Sequence, residues 1–314
     1  MARIFVTRRL PGDALERLRE AHELEIRDAD TPIGREELIA GARRSEVVIC
    51  ALTDRIDAGV LHPGLKVVAN YAVGVDNIDL AAAREAGVVV TNTPDVLTDA
   101  TADLAFALLL AAARRLPEAE RFLRAGRWEG FRASALLGRR VAGAHLGVVG
   151  AGRIGQAVLS RGKGFGMELS YWSREPKDPA RVSGATHRPL DELLERCDFV
   201  SLNVALTPET RHLLDARRLE RMKPGAVLVN TSRGPVVDEA ALARVLAEGP
   251  LFAAGLDVYE EEPRVHPALL ELENVVLIPH LGSATDVCRE AMVELCVDGV
   301  EAVLAGREPA NRVI

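Results

Sequence analysis

Residues 146–156 read Leu146-Gly147-Val148-Val149-Gly150-Ala151-Gly152-Arg153-Ile154-Gly155-Gln156, a glycine-rich stretch between an apolar run and a helical pattern. Its spacing, G-x-G-x-x-G, is typical of the strand–turn–helix unit that holds the pyrophosphate of a dinucleotide. Gly150 permits the tight turn, Gly152 lets the pyrophosphate approach the backbone, and Gly155 lets the helix pack closely on the strand. A glycine-rich turn without a ligand is the alternative, which this strand-to-helix context disfavours.

Short apolar runs alternate with helical patterns on both sides of this turn, which indicates an α/β fold with parallel sheets. Strands are expected at 4–7, 24–27, 47–50, 67–70 and 88–91 in a first series, and at 145–149, 169–172, 199–202, 226–230, 252–256 and 275–278 in a second. Helices are expected at 12–21, 99–115 and 283–304. The two series predict two doubly wound parallel-sheet domains, with a cleft that would suit a small ligand.

The composition excludes several classes of protein. With 314 residues, of which 48% are hydrophobic and 27% charged, the chain has the balance of a folded two-domain protein. Its net charge of -7 disfavours nucleic acid and anionic membranes as partners, and its longest apolar stretch, 104–113, is too short to span a bilayer. No His or Cys pair has the spacing of metal ligands, so no metal site is predicted. Four dispersed cysteines indicate reduced, mostly buried thiols in a cytoplasmic protein: Cys50, Cys197, Cys288 and Cys296.

The residues after the strand expected at 169–172 bear on the choice of cofactor. An NAD site usually carries Asp or Glu here, bound to the ribose 2′-hydroxyl. In this chain Ser173 and Arg174 stand at that position. A guanidinium pairs with a 2′-phosphate, which a carboxylate would repel, so NADP(H) is favoured. In the alternative, Glu175 takes the acidic role, Arg174 is solvated, and the cofactor is NAD(H).

Two side chains with acid–base or anion-binding chemistry follow strands of the second series. Arg233 can bind a carboxylate or polarise a carbonyl, although its position suits an ordinary surface arginine equally well. His280 carries an imidazole, which suits proton donation near neutral pH. One of three glutamates would pair with that imidazole and the other two would be solvated, and spacing does not choose among Glu260, Glu261 and Glu262.

The stretch 70–77, Asn-Tyr-Ala-Val-Gly-Val-Asp-Asn, follows a strand of the first series. Small residues around Gly74 would expose consecutive backbone N–H groups, which can form an anion-binding nest. A plain turn accounts for the same residues equally well.

Four blocks together resemble the D-2-hydroxyacid dehydrogenase family, over essentially the whole chain: 70–76, 150–155, 230–234 and 279–285. The stretch 92–103 and the Ser173-Arg174 pair are similar to the glyoxylate/hydroxypyruvate reductase branch, which prefers NADPH. The resemblance implies hydride transfer between a nicotinamide cofactor and a short 2-oxo or 2-hydroxy acid.

The resemblance also implies a domain arrangement. A Rossmann-type dinucleotide-binding domain, residues 99–283, would be inserted in a flavodoxin-like substrate domain formed by residues 1–98 and 284–314. The protein would be a homodimer that associates through its cofactor domains.

The family motifs imply roles for individual residues. Arg233 would bind the substrate and polarise its carbonyl, His280 would be the acid/base, and Glu262 would pair with His280. Substrate contacts are implied for Val73 and Gly74, through their backbone N–H groups, and for Arg233, His280 and Ser283. Asp257 would bind the nicotinamide amide. Cofactor contacts are implied for Thr101, Gly150, Gly152, Arg153, Ile154, Gly155, Ser173, Arg174, Thr207, Thr231, Asp257 and Gly282.

Two departures from the family pattern keep other functions open. Asn203 and Ala205 replace a His and a Pro that are frequent in a loop beside the cofactor. The segment 126–137 diverges where relatives carry a bulky residue that selects substrate, and Phe131 is the candidate for it. The alternatives are a phosphoglycerate, D-lactate or phosphite dehydrogenase of the same family, or a nucleotide-sensing, corepressor-like binding protein.

Overall fold

The computed structural model describes residues 1–314, which divide into two compact units. One unit combines Met1–Leu97 with Ser283–Ile314, and the other is the continuous segment Thr98–Gly282. Each contains one parallel sheet with helices between its strands, which confirms the predicted fold class of two parallel-sheet α/β domains. No helix is both long enough and apolar enough to cross a membrane.

The strands and helices alternate along the chain. The strands are β1 (Arg3–Val6), β2 (Glu23–Ile26), β3 (Val47–Ala51), β4 (Val67–Tyr71), β5 (Val89–Thr91), β6 (His145–Val149), β7 (Glu168–Trp172), β8 (Thr186–His187), β9 (Phe199–Leu202), β10 (Val227–Asn230), β11 (Ala253–Leu256) and β12 (Val275–Leu277). The helices are α1 (Leu15–Ala21), α2 (Arg35–Arg43), α3 (Leu80–Glu85), α4 (Thr98–Ala113), α5 (Leu116–Arg124), α6 (Arg153–Gly164), α7 (Leu190–Arg196), α8 (Ala216–Glu220), α9 (Glu239–Ala247), α10 (Pro267–Leu270) and α11 (Asp286–Leu304).

The unit that contains both chain termini has the strand order β2-β1-β3-β4-β5, with every pair parallel. Every residue of β3 and β4 is buried, as expected for strands that are covered on both faces, and α11 packs on β4. Because all the strands are parallel, the loops after β1, β3 and β4 leave the same, carboxyl edge of the sheet. The strand order reverses between β1 and β3, and open α/β sheets place their ligands at the carboxyl edge beside such a reversal.

The continuous unit has the strand order β12-β11-β10-β9-β6-β7-β8, again all parallel. This is the order of a Rossmann dinucleotide-binding domain with one additional strand, and it reverses between β6 and β9. Helix α4 packs against β10, β11 and α6 through a face of small and aliphatic side chains. The carboxyl ends of β6, β9, β10 and β11 consequently lie side by side.

Two helix boundaries differ from the sequence expectation because the backbone turns left-handed. Helix α1 begins at Leu15 rather than near residue 12, since Gly12 has a φ of +77°. Helix α4 ends at Ala113 rather than at residue 115, since Arg115 has a φ of +54° and turns the chain into α5. A single left-handed residue therefore accompanies each of these boundaries.

The last helix and one strand also differ from the expectation. Helix α11 begins at Asp286 rather than at residue 283, because the Thr285 hydroxyl accepts the N–H of Cys288 at 3.3 Å and caps the helix. Strand β8 was not expected, since its two residues are exposed and form no apolar run. All four cysteines are free and buried, as predicted.

Candidate active site

The glycine-rich turn lies at the switch point between β6 and β9. Gly150 has a φ of +99°, and a Cβ there would lie 2.7 Å from the backbone of Asn203. A Cβ on Gly155 would lie 2.0 Å from the carbonyl oxygen of Gly150, so α6 approaches the turn as closely as glycine allows. Gly152 caps the N-terminus of α6, and a Cβ there would meet open space. The first N–H groups of α6 are thus accessible to an anion.

Two buried side-chain oxygens near this turn have no hydrogen-bond partner: Thr231 Oγ1 and Asn203 Oδ1. Thr231 follows β10 and Asn203 follows β9, and the backbone N–H of Asn203 donates to the carbonyl of Val149 at 2.7 Å. Buried polar atoms are rarely left without a partner unless a ligand or water supplies one. With the open face of Gly152, they fit a dinucleotide laid across the carboxyl ends of β6, β9 and β10. Asn203, which follows the buried strand β9, is one of the departures from the family pattern.

The end of β7 presents the residues predicted to select the cofactor. The Ser173 hydroxyl donates to the carbonyl of Glu175, His187 Nε2 contacts the Ser173 carbonyl at 3.0 Å, and Arg174 is exposed. The pKa of Glu209 lies below its ordinary value, chiefly because the Thr207 hydroxyl hydrogen-bonds its carboxylate and to a smaller extent because of the Arg174 charge. Thr207 and Arg174 therefore lie near the same carboxylate.

His280 follows β12 and pairs with a glutamate from the loop after β11. Its Nδ1 atom lies 2.8 Å from Glu262 Oε2, and Glu262 Oε1 accepts the backbone N–H of Tyr259 at 3.1 Å. His280 has a φ of +52°, and its backbone N–H donates to the carbonyl of Asp257 at 2.9 Å. Each side chain of the pair is 24% exposed. Of the three glutamates that spacing left open, the structure pairs Glu262 with the imidazole.

The other two glutamates behave differently from one another. Glu261 is exposed and pairs with Arg264, as expected for a solvated side chain. The expectation of solvation is wrong for Glu260, whose side chain is 20% exposed. Its carboxylate accepts the backbone N–H of Glu239 at 3.0 Å and contacts His212 Nε2. The physical reason is the free N–H group at the start of α9, which attracts a carboxylate that sequence spacing could not assign to it.

Asp257, at the end of β11, is buried under the turn that follows His280. Its carboxylate accepts the backbone N–H groups of Leu281 and Gly282, the latter at 2.8 Å. Burial raises the pKa of Asp257 to about 6, and these N–H groups and His280 act in the opposite direction. A Cβ on Gly282 would lie 3.5 Å from Thr101, so α4 contributes Thr101 to the same place.

Arg233 lies in the loop after β10. The Asn230 side-chain amide donates to the carbonyl of Arg233 at 2.9 Å, and Arg233 Nη1 donates to the carbonyl of Ser232 at 2.9 Å. Gly234 packs on the next loop so closely that a Cβ would lie 1.8 Å from the carbonyl carbon of Tyr259. The loop of Arg233 thus packs directly against the loop that carries Glu262.

The predicted anion-binding segment lies in the other unit, after β4. The Asn92 and Asn70 side-chain amides donate to the carbonyls of Val73 and Gly74, both at 2.8 Å. With both carbonyls held, the N–H groups of Val73 and Gly74 make no hydrogen bond within the protein. This arrangement favours the nest over a plain turn. Ser283 belongs to the same unit, and its carbonyl accepts the N–H of Thr285 at 2.9 Å.

Comparison with known proteins agrees with the strand order and the glycine-rich turn. A family model described as "D-isomer specific 2-hydroxyacid dehydrogenase, NAD binding domain" matches residues 106–282. The chain is 48% identical to the glyoxylate reductase of Thermococcus onnurineus over 318 aligned residues, which cover 99% of this chain and 95% of that protein. The chain belongs to the D-isomer specific 2-hydroxyacid dehydrogenase family. The resemblance found in the sequence is thereby confirmed.

Solved structures place this 2-hydroxyacid dehydrogenase among close structural relatives. A protein from Thermus thermophilus superposes with a TM-score of 0.93 at 48% identity, covering 99% of this chain and 100% of that one. An NADPH-dependent glyoxylate/hydroxypyruvate reductase from Sinorhizobium meliloti, in complex with NADP and malonate, superposes with a TM-score of 0.87 at 37% identity, covering 99% and 96%. This dehydrogenase is an oxidoreductase that uses a nicotinamide dinucleotide.

Proposed function

We propose that the protein is an NADPH-dependent reductase of glyoxylate and hydroxypyruvate, with His280 as the proton donor. The observation that carries the proposal is the 2.8 Å contact between His280 Nδ1 and Glu262 Oε2, next to the loop of Arg233. Relatives named glyoxylate reductase, which align over almost the whole chain, support the choice of substrate.

In the proposed reaction, His280 supplies the proton and the bound nicotinamide supplies the hydride. Glu262 holds the imidazole through Nδ1, and Nε2 makes no hydrogen bond within the protein, so Nε2 can donate to a substrate oxygen. The Glu262 carboxylate stabilises the protonated imidazole until the transfer occurs. Arg233 stabilises the negative charge that develops on the carbonyl oxygen.

The substrate carboxylate would be held by charge and by backbone donors. Arg233 offers a guanidinium that matches a carboxylate, and Val73 and Gly74 offer two N–H groups without partners in the protein. Ser283 is proposed to lie beside the same group. Fixing the carboxylate orients the carbonyl for reaction and removes most of the entropic cost of the encounter.

The preference for NADPH rests on the end of β7, where Ser173 and Arg174 replace the usual carboxylate. Thr207 is proposed to contact the cofactor from the neighbouring loop, since it shares the Glu209 carboxylate with Arg174. In the dinucleotide site, Arg153 and Ile154 at the start of α6 contribute the backbone beside the pyrophosphate.

Initial rates of NADPH and NADH oxidation, each with glyoxylate and with hydroxypyruvate, test this proposal. We expect turnover of either acid with a clear preference for NADPH. Arg174→Ala should reduce the preference by about tenfold or more, because a charged hydrogen bond to phosphate contributes about 1.5–3 kcal/mol. The exposed Arg181, in the following loop, provides the control variant Arg181→Ala, which should keep the preference. Turnover with NADH alone would contradict the role of Arg174.

We also propose a homodimer formed through the dinucleotide-binding units. Helix α5 buries none of its residues in this chain, although it is strongly amphipathic. It and the following segment expose five large apolar side chains, which is unusual for a surface that stays in water: Leu116, Leu123, Trp128, Phe131 and Leu137. A second copy of the chain would cover them.

A further inference from the structure

Glu239, the first residue of α9, has no assigned role, yet its side chain reaches the loop that carries Glu262. Glu239 is only 5% exposed, which is unusual for a carboxylate. Its Oε1 atom accepts the backbone N–H of Glu260 at 2.6 Å. One buried side chain therefore holds this loop at Glu260, two residues before Glu262.

The loop that follows Glu260 closes on itself through an antiparallel bridge between Glu261 and Arg264, whose N–H donates to the Glu261 carbonyl at 2.9 Å. Glu262 lies inside the bridge, and the Glu239 carboxylate holds the residue just before the bridge. The position of Glu262 thus depends on α9 as well as on the strand before the loop.

The connection between α9 and the loop is reciprocal. Glu260 Oε2 accepts the backbone N–H of Glu239 at 3.0 Å, while Glu260 Oε1 contacts His212 Nε2. Burial, and to a smaller extent the Glu260 carboxylate, raise the pKa of Glu239. The hydrogen bond to Glu239 Oε1 comes from an N–H donor, so a side-chain amide oxygen can replace that carboxylate oxygen as acceptor.

We propose that Glu239 is a positioning residue for proton transfer, because it fixes the loop that places Glu262 against His280. The inference rests on the proposed function, in which this pair delivers the proton. A catalytic group displaced by about 1 Å loses about 100-fold in rate, so an anchor two residues from Glu262 has a kinetic consequence beyond stability.

The first test compares two substitutions at one position. Glu239→Leu removes the acceptor and should lower kcat for glyoxylate reduction about 10- to 100-fold, with KM for NADPH unchanged. Glu239→Gln keeps an acceptor oxygen and should restore kcat to within about threefold of the wild type. If Glu239→Leu does not fold, Glu239→Asp replaces it, since its shorter side chain should not reach the Glu260 N–H.

A matched control separates positioning from stability. Asp198 accepts the backbone N–H of His145 at 3.0 Å, in the same unit but at the amino-terminal ends of β6 and β9. Asp198→Ala should lower the melting temperature and leave kcat unchanged. A kcat loss in Glu239→Leu no larger than in Asp198→Ala would overturn the inference.

A double-mutant cycle with Glu262→Gln tests the route of the effect. If Glu239 acts through Glu262, the loss caused by Glu239→Leu should disappear in the Glu262→Gln background. If the losses in kcat caused by Glu239→Leu and by Glu262→Gln multiply in the double variant, the inference is overturned.

A measurement on the free protein separates the inference from the proposed function. The ring N–H proton of His280, assigned with His280→Gln, should give a downfield NMR signal that Glu262 protects from exchange with solvent. The signal should weaken in Glu239→Leu and return in Glu239→Gln, and a full signal in Glu239→Leu would overturn the inference. Absence of turnover in the wild type would contradict the proposed function, and the NMR comparison would then decide the inference alone.

Discussion

Asp257, beside the proposed active site, is a buried carboxyl group whose ionisation is coupled to stability. It is 1% exposed, and burial raises its pKa from 3.8 to about 6. A folded-state pKa above the unfolded value means that the folded chain binds the proton more tightly. The stabilisation from Asp257 is therefore fully present below the unfolded pKa and is lost as pH rises through about 6.

Asp257→Asn should remove this pH dependence. The free energy of unfolding of the wild type, relative to the variant, should fall by about 2 kcal/mol between about pH 4 and about pH 7. Urea denaturation at several pH values measures it. Asp198→Asn is a control with the opposite pH dependence. Burial acts against ionisation of Asp198, but hydrogen bonds from Lys223 and the His145 backbone lower the Asp198 pKa overall. The contribution of Asp198 to the free energy of unfolding is therefore lost as pH falls. If the difference in unfolding free energy between the wild type and Asp257→Asn did not change with pH, this account of Asp257 would be contradicted.

Contacts between side chains were harder to predict from spacing than from the family motifs. Spacing narrowed the partner of His280 to three adjacent glutamates, the family resemblance implied Glu262, and the folded loop places Glu262 against the imidazole. Sequence reasoning missed the burial of Glu260, because the group that binds Glu260 lies at the start of α9, 21 residues away. Contacts between loops depend on tertiary packing, which local spacing does not encode.

At the level of elements, the proposed active site depends on the close packing of two loops. A Cβ at Gly234 would lie 1.8 Å from the carbonyl carbon of Tyr259, which is backbone and cannot rotate away. Any larger residue must push the loop of Arg233 away from the loop of Glu262. The glycine after the arginine is therefore required by packing and not by backbone conformation.

Gly234→Ala should lower the free energy of unfolding by about 1–3 kcal/mol, the usual cost of overpacking, and should also lower kcat. Thermal unfolding and steady-state kinetics with glyoxylate measure the two effects. Gly164→Ala is the matched control, since a Cβ at the end of α6 meets nothing within 4 Å. If Gly234→Ala had the same unfolding free energy and the same kcat as Gly164→Ala, the close packing of the two loops would not matter for either property, and this account would be contradicted.

Strands could be predicted more accurately than helix ends. The buried strands read as continuous apolar runs, such as Val47–Ala51, since helices cover both faces of the sheets. The start of α1 and the end of α4 lie near single left-handed residues. Gly12 gives only a weak sequence signal of such a conformation, and Arg115 gives none.

At the scale of the whole molecule, the order of the sequence motifs along the chain identified the family. The surface through which two chains would associate is harder to predict from the sequence. The apolar surface of α5 and the segment after it became visible only when the structure showed that nothing in the chain covers it. The periodicity of α5 alone would have suited a helix packed on its own domain.

Leu123→Arg should convert the proposed dimer into a monomer, since it places a charge on the apolar face of α5, where Leu123 is 58% exposed. Size-exclusion chromatography with light scattering measures the mass. Val287→Arg is the control, since Val287 is 75% exposed on α11, in the other compact unit. A wild-type protein that is monomeric at micromolar concentration would refute the proposed dimer.

The most direct test of the central claim is the turnover of His280→Gln with NADPH and glyoxylate, measured together with its affinity for NADPH. We expect kcat to fall by about 10²–10⁴-fold, the usual contribution of a general acid, while NADPH binds as tightly as in the wild type. Near-normal turnover in this variant would contradict the assignment of His280 as proton donor.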